Sequence, residues 1–133
     1  MEKKNKILAV DDNPVNLAVI QELLECQYDL KTVSTGLDAL ETAPQFRPDL
    51  IILDIMLPDI DGYEVCQKIR NSSTLRDTKI IIVSAKAMIS EQRRGYQVGA
   101  DDYLTKPFDG EELLEKICDH LSSKTVKTIQ QNK

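Results

Sequence analysis

Short β-rich runs alternate with amphipathic segments five times along this chain, and this alternation limits the fold more than any other feature. We expect strands at residues 6–10, 30–33, 50–53, 79–83 and 102–105. Helical spacing of apolar residues predicts helices at 14–26, 37–43, 63–71, 90–98 and 111–121. Strands that alternate with helices form a mostly parallel sheet with right-handed crossovers. The sequence therefore predicts an α/β fold, a doubly wound five-stranded parallel sheet of flavodoxin-like order 2-1-3-4-5 with helices on both faces.

The size and charge of the chain limit the kinds of protein that it can be. Its 133 residues, 41% of them hydrophobic, suffice for one domain with a real core. We expect residues 6–121 to form this domain, between an N-terminal tail at 1–5 and a polar tail, frayed or helical, or the start of a linker at 122–133. The net charge of −5 does not favour direct binding to nucleic acids or to an anionic membrane. No apolar signal region precedes the first predicted strand, so we expect a cytoplasmic protein.

The three cysteines and the one histidine form no metal-binding pattern. Cys26, Cys66 and Cys118 are far apart and include no C-x-x-C pair, so zinc binding and thiol redox chemistry are not expected. Each cysteine lies in an amphipathic helical pattern, which predicts a buried side chain. We expect His120, near the end of the last helix, to be solvated.

Polar residues stand at the carboxyl ends of four predicted strands. Strand 1 is followed by Asp11 and Asp12, strand 3 by Asp54, strand 4 by Ser84 and strand 5 by Lys106. In open parallel sheets, ligands bind outside the carboxyl ends of the strands, at the switch point, which in this order lies between strands 1 and 3. The fold would therefore bring three carboxylates, a hydroxyl and an ammonium to one edge of the sheet.

This combination of groups suits a phosphoryl site. Three close carboxylates repel one another, and a divalent cation relieves the repulsion; oxygen ligands favour Mg²⁺. A metal alone leaves Ser84 and Lys106 without a role. If Asp54 is a nucleophile that forms an aspartyl phosphate, Mg²⁺ and Lys106 neutralise the transferred group and Ser84 hydrogen-bonds one of its oxygens.

Four motifs, each at a predicted strand end, resemble a known family. They are "VDDNP" (10–14), "LDIMLPDIDG" (53–62), "IIIVSAKA" (80–87) and "GADDYLTKPF" (99–108). Together they resemble the receiver domain of two-component response regulators, and the resemblance covers residues 6 to 121. It implies a phosphorylation-activated signalling switch, which catalyses only its own phosphorylation and dephosphorylation.

The resemblance also implies a role for individual residues. Asp54 would be the phosphoacceptor, and Asp11 and Asp12 would hold Mg²⁺ together with the backbone carbonyl of Met56. The phosphoryl group would come from a histidine kinase or a histidine phosphotransfer protein. The output would pass to an effector domain or protein through the face of helix 4, strand 5 and helix 5, and a phosphorylation-dependent dimer is compatible with this scheme.

Four further positions follow from the same resemblance. Ser84, which replaces the family's more frequent threonine, and Lys106 would bind the phosphoryl group. Tyr103 would be the aromatic switch residue. The Lys106–Pro107 peptide bond would be cis, which fixes the direction of Lys106.

Simpler interpretations stand beside several of these roles. Asp12 could serve only as a helix cap, Ser84 could merely end a strand, Lys106 could be a solvated lysine, and Tyr103 could pack half-buried on an edge strand. On helix 1, Val15 and Val19 fall on the exposed face beside the acids; they could belong to a docking surface for the phosphodonor or to a wide apolar helix face.

The loop after strand 3 contains residues for which we expect structural roles. Pro58 would stiffen the loop, and Gly62 would permit a special dihedral before the third helix. Asp59 and Asp61 are expected to be solvated or capping residues and not metal ligands.

Three other functions fit the sequence less well. A flavin electron carrier of the same topology needs a hydroxyl- and glycine-rich phosphate loop after strand 1, where this chain has Asp11 and Asp12. An aspartate-nucleophile phosphatase places its nucleophile after strand 1 in a D-x-D pattern, whereas the single acid here follows strand 3. A receiver that signals without phosphate would not need the intact set of acids.

Overall fold

The computed structural model describes residues 4–131 and contains one five-stranded parallel sheet of order β2-β1-β3-β4-β5. The strands are β1 (Lys6–Val10), β2 (Asp29–Val33), β3 (Leu50–Asp54), β4 (Lys79–Ser84) and β5 (Asp102–Thr105). The helices are α1 (Pro14–Leu24), α2 (Gly36–Phe46), α3 (Gly62–Arg70), α4 (Ile89–Gln97) and α5 (Gly110–Gln131). The predicted fold class and strand order are confirmed.

The strands are buried on both faces because two hydrophobic cores sandwich the sheet. In β1, Ile7 and Ala9 face the core shared with α1 and α5, whereas Leu8 and Val10 face the core shared with α2 and α3. Side chains alternate across a strand, so a strand with two buried faces must be apolar at every position. This explains the continuous apolar run of β3, all five residues of which are buried.

The register of the sheet aligns the strand ends that carry polar residues. Val10 of β1 pairs with Leu53 of β3, and Leu53 pairs with Ile82 of β4. The residues that follow these positions, Asp11 and Asp54, therefore emerge side by side at the carboxyl edge.

The helices begin within one residue of their predicted starts, and α2 and α5 extend beyond their predicted ends. The Asn13 side chain accepts a hydrogen bond from the Val15 backbone N–H at 2.8 Å, with Pro14 as the first helical residue. α2 continues to Phe46, with Pro44 inside it. α5 runs on into the predicted tail and ends at Gln131, whereas residues 1–3 and 132–133 lie outside the described residues. The domain boundaries themselves stay a prediction.

Two predictions about the cysteines and the histidine are wrong. Cys66 is buried as expected, but Cys26 and Cys118 are exposed, because Cys26 follows the end of α1 and Cys118 lies on the outer side of α5. His120 is not simply solvated, since its Nε2 lies 3.0 Å from Oδ2 of Asp102 where α5 packs beside β5. Among the described residues, no helix is long and apolar enough to cross a membrane.

The carboxylate of Asp102 joins β5 to α5. Burial alone would raise its pKa, but hydrogen bonds from His120, the Tyr103 backbone N–H and Lys116 outweigh burial and hold the pKa of Asp102 below its ordinary value. The ion pair with Lys116 is 3.2 Å long. This side of the molecule is therefore held together by charged contacts as well as by the core.

Candidate functional site

Three carboxylates meet where β1 and β3 end. Asp11 and Asp54 are only 3% and 6% exposed, and Asp12 beside them is exposed to solvent. One oxygen from each of the three lies within 4.8 Å of the other two. This spacing and these hard oxygen donors fit a divalent cation such as Mg²⁺. The predicted metal ligands are thus brought together, with Asp12 open to solvent on one side.

Lys106 reaches across from β5 to this acid cluster. Its Nζ lies 3.0 Å from Oδ2 of Asp11 and 3.4 Å from Oδ2 of Asp54. Its backbone N–H donates to the carbonyl of Ser84 at 2.8 Å, and the bond to Pro107 is cis, as the resemblance implies. Lys106 is therefore not a free surface lysine but bridges two buried carboxylates.

The charge on Asp54 is only partly balanced. Burial raises the pKa of Asp54 above its ordinary value, the Lys106 ammonium lowers it, and the neighbouring Asp11 raises it again. The net direction is upward even with Lys106 in contact. A further positive charge would stabilise the ionised form, which supports the fit to a cation.

Met56 lies next to the Asp54 carboxylate. Its backbone N–H donates to Oδ1 of Asp54 at 3.2 Å, while its side chain is exposed. The loop thus turns back over the acid directly after β3. The role of the Met56 carbonyl as a metal ligand stays a prediction.

Ser84 and Tyr103 are linked through one residue. Ser84 is fully buried at the end of β4, and its Oγ accepts a hydrogen bond from the Lys86 backbone N–H at 3.1 Å. Tyr103 is 7% exposed, so it is buried and not half-buried, and its hydroxyl donates to the Lys86 carbonyl at 2.9 Å. A displacement of Ser84 would therefore move the Lys86 backbone and change its hydrogen bond with the Tyr103 hydroxyl. No sequence pattern indicates this link.

Gly62 is required for space and not for a special dihedral. The positive φ angles among the described residues belong to Arg47 and Gly99, so the expectation of a special dihedral at Gly62 is wrong. Instead, a Cβ at this position would lie 2.4 Å from the Asp54 carbonyl oxygen and 2.7 Å from Cα of Ile55. The start of α3 is packed directly onto the backbone of Asp54.

We expect Gly62→Ala to destabilise the protein and to disturb the site. The added methyl group meets backbone atoms, which cannot rotate away, so we expect a loss of about 1–3 kcal/mol in the free energy of unfolding, measured in urea. The matched control is Gly110→Ala, whose Cβ would meet Leu23 Cδ2 at 3.0 Å, the end of a flexible side chain. Equal stability of the two variants would contradict this explanation.

The other two aspartates of the loop are capping residues, as expected. The Asp59 carboxylate accepts hydrogen bonds from the backbone N–H groups of Gly36 at 2.9 Å and Leu37 at 2.8 Å, at the start of α2. The bond from Leu37 is the largest cause of a lowered pKa at Asp59. Asp61 caps α3 through the Glu64 backbone N–H at 2.9 Å. Pro58 is exposed in the loop between them and the acid cluster.

An apolar face lies beside the acid cluster on α1. Val15 and Val19 are 68% and 49% exposed, as the helical spacing predicts. Next to them, a cavity of about 400 Å³ opens between α1 and the segment after β5, lined among others by Val19, Asp54 and Phe108. The phosphoacceptor candidate is thus accessible from a partly apolar surface.

The chain resembles known proteins over most of its length. Residues 7–118 match the family described as the response regulator receiver domain. Protein PilG of Pseudomonas aeruginosa is 38% identical over 121 residues, which cover 90% of this chain and 90% of that protein. The DNA-binding dual master transcriptional regulator RpaA of Synechocystis sp. is 40% identical over 113 residues, which cover 84% of this chain and 47% of RpaA. The chain therefore spans about half the length of several of these relatives.

A solved structure connects this fold to a metal site. The receiver domain of the sensor histidine kinase PA1611 from Pseudomonas aeruginosa has a TM-score of 0.83 and 35% sequence identity, over 90% of this chain and 98% of that chain. That structure has a magnesium ion coordinated in the active site cleft. Receiver domains of this family act as phosphorylation-activated switches. With the family match, the relatives and the strand-end residues in agreement, this chain belongs to the receiver domains of two-component response regulators.

Proposed function

We propose that this receiver domain takes up a phosphoryl group on Asp54, in a reaction that requires Mg²⁺ held by Asp11, Asp12 and Asp54. The observation that carries the proposal is the bridge of Lys106 between the buried carboxylates of Asp11 and Asp54. One carboxylate oxygen of Asp12 lies within 4.8 Å of an oxygen of each of these two acids, so all three can bind one metal ion. Met56 completes the proposed ligand set through its backbone carbonyl.

The chemical step is a phosphoryl transfer to a carboxylate oxygen. An oxygen of Asp54 forms the new bond to phosphorus while the bond from phosphorus to the donor's histidine nitrogen breaks, and the imidazole leaves with the electron pair and later takes a proton. When bound, Mg²⁺ supplies positive charge to the three acids and to the phosphoryl oxygens. Lys106 is placed to bind one phosphoryl oxygen, and the Ser84 hydroxyl is placed to donate to another.

Labelling by acetyl phosphate tests the reaction without a partner. The purified chain is incubated with acetyl phosphate in Mg²⁺ and in EDTA, and the product is analysed by intact mass and by peptide mapping. We expect one phosphoryl group per chain, on the peptide that contains Asp54, and only in Mg²⁺. Labelling of another residue, or equal labelling in EDTA, would overturn the proposal.

We also propose that the phosphodonor, the histidine domain of a kinase or a phosphotransfer protein, docks on the exposed valines of α1. Val15 and Val19 stand beside the cavity that leads to Asp54. A donor helix seated there would cover apolar surface and bring a phosphohistidine to the acid cluster.

Val15→Asp is expected to separate docking from chemistry. The added charge places a like charge beside the acid cluster and removes apolar contact, so phosphotransfer from the cognate kinase should fall on the order of tenfold or more. Labelling by acetyl phosphate, which needs no docking surface, should stay near the wild-type rate. Gln21→Asp, at an exposed α1 position that is turned away from Val15 and Val19, serves as the control for added charge alone. Unchanged transfer from the kinase to Val15→Asp would contradict docking at this face.

We propose that the face formed by α4, β5 and α5 binds an effector domain or protein when the domain is phosphorylated. We also propose that a phosphorylation-dependent dimer forms through this face. α4 begins after Met88 with no side-chain cap, and Met88 and Ile89 are both 71% exposed. Gly95 packs against the Tyr103 ring, where a Cβ would lie 2.9 Å from Cδ2. A turn of Tyr103 would therefore shift α4 directly.

Amide exchange of α4 checks this output route. We expect a phosphoryl mimic such as beryllofluoride, added with Mg²⁺, to change protection along α4 on the order of tenfold, because the Ser84–Lys86–Tyr103 contacts rearrange. The α2 helix, which lies away from these contacts, serves as the internal reference. Equal protection of α4 with and without the mimic would rule out the route.

A further inference from the structure

Asn16 contacts the acid cluster from α1, although no sequence pattern marks it as a site residue. It occupies the first turn of the helix and is half-buried. Its side-chain Nδ2 lies 3.2 Å from Oδ2 of Asp11. An amide nitrogen can only donate here, since an amide oxygen in the same place would repel the carboxylate.

The hydrogen bonds of Asp11 divide unequally between its two oxygens. Oδ1 accepts from the Asn13 backbone N–H at 2.9 Å. Oδ2 accepts both from Nδ2 of Asn16 and from Nζ of Lys106, the latter at 3.0 Å. One oxygen therefore has a neutral donor that is fixed to a helix and a charged donor at the end of a flexible side chain.

The two donors to Oδ2 of Asp11 have different roles during phosphoryl transfer. Lys106 has to contact the incoming phosphoryl group, so its bond to Asp11 weakens at that stage. Asp11 is 3% exposed, and water cannot easily replace a lost donor at so buried a carboxylate. Asn16 can keep its bond to Oδ2 throughout, because nothing else in the proposed reaction requires its amide.

We propose that Asn16 is a positioning residue for the metal site: it fixes the Asp11 carboxylate in the orientation that Mg²⁺ requires and allows Lys106 to leave Asp11. The inference rests on the proposed function, since it assumes that Asp11 is a metal ligand. Hydrogen-bond partners of ligating groups commonly set metal affinity in this way, and their loss costs about 10–100-fold in binding.

The test is Mg²⁺ binding by the full chain, measured by titration calorimetry without any phosphodonor. Asn16→Leu removes the donor at similar volume, Asn16→Ala removes it with the volume, and Asn16→Gln keeps an amide. We expect the dissociation constant for Mg²⁺ to rise about tenfold or more in the first two variants and less in Asn16→Gln. Gln21→Leu, at an exposed α1 position, should bind like wild type.

Thermal unfolding separates positioning from packing. If Asn16 positions the ligand, the rise in melting temperature that Mg²⁺ causes shrinks in Asn16→Leu and Asn16→Ala. If Asn16 only packs, both variants melt earlier by the same amount in Mg²⁺ and in EDTA, and the inference is overturned. Wild-type Mg²⁺ affinity in both variants would overturn it as well. A wild-type chain that binds no Mg²⁺ would refute the proposed function itself, which distinguishes the two failures.

Discussion

Asp54→Asn is expected to abolish labelling by acetyl phosphate, with a loss on the order of 10³-fold or more. The side chain keeps its size and its place at the end of β3, but the amide is not a nucleophile that forms an acyl phosphate. The measurement is incorporation of phosphoryl groups in saturating Mg²⁺, followed by intact mass. The substitution also removes a buried charge whose pKa is raised by burial and by Asp11, so the variant should fold at least as well as wild type in EDTA.

Two neighbouring aspartates provide matched controls for this result. Asp59 and Asp61 lie in the same loop but have their carboxylates on the backbone N–H groups that start α2 and α3. Asp59→Asn and Asp61→Asn should therefore keep labelling close to wild type and leave stability nearly unchanged, because asparagine caps a helix about as well as aspartate. Labelling that survives in Asp54→Asn but disappears in Asp59→Asn would assign the phosphoacceptor elsewhere.

The fold and the acid cluster could be predicted because both depend on features that are local in sequence. Each strand is a short apolar run, and each polar site residue directly follows one. Once the strands are parallel, their carboxyl ends lie at one edge whatever the details of packing. The positions of Asp11, Asp54 and Lys106 therefore follow from strand order alone.

The features that the sequence did not predict depend on contacts between distant segments. The need for glycine at position 62 comes from the Asp54 backbone across the loop, and the pairing of His120 comes from Asp102 on β5. In the sequence, Asn16 is indistinguishable from an ordinary helix residue. Its contact with Asp11 depends on how α1 packs beside the end of β1. Periodicity reports which face of an element is buried, but it does not report which atoms that face meets.

Lys106→Met is expected to lower both stability and phosphorylation, because it leaves two buried carboxylates without their shared cation. Because the Lys106 side chain is 22% exposed, we expect the free energy of unfolding to fall by about 2–3 kcal/mol in EDTA near neutral pH, somewhat less than for a fully buried pair.

The stability loss should also depend on pH. The pKa of Asp54 is already raised in the folded protein, and loss of the ammonium raises it further. The folded state then binds the Asp54 proton more readily than the unfolded chain, so stability falls as pH rises through the window above the ordinary carboxylate value of 3.8. The deficit of the variant should therefore be largest at neutral pH and shrink in acid, as measured by urea unfolding.

Mg²⁺ should restore much of that stability without restoring the chemistry. The cation replaces the missing positive charge beside Asp11 and Asp54, so the Mg²⁺-dependent rise in melting temperature should exceed that of wild type. Labelling by acetyl phosphate should still fall by about 10²–10³-fold, because the phosphoryl oxygen that Lys106 would contact has lost its partner. Lys86→Met is the control, since the exposed Lys86 contacts Ser84 and Tyr103 through its backbone, which the substitution retains. If Lys106→Met labelled as fast as Lys86→Met in Mg²⁺, Lys106 would serve only to balance the charge of the acids, and its proposed role in phosphoryl transfer would have to be abandoned.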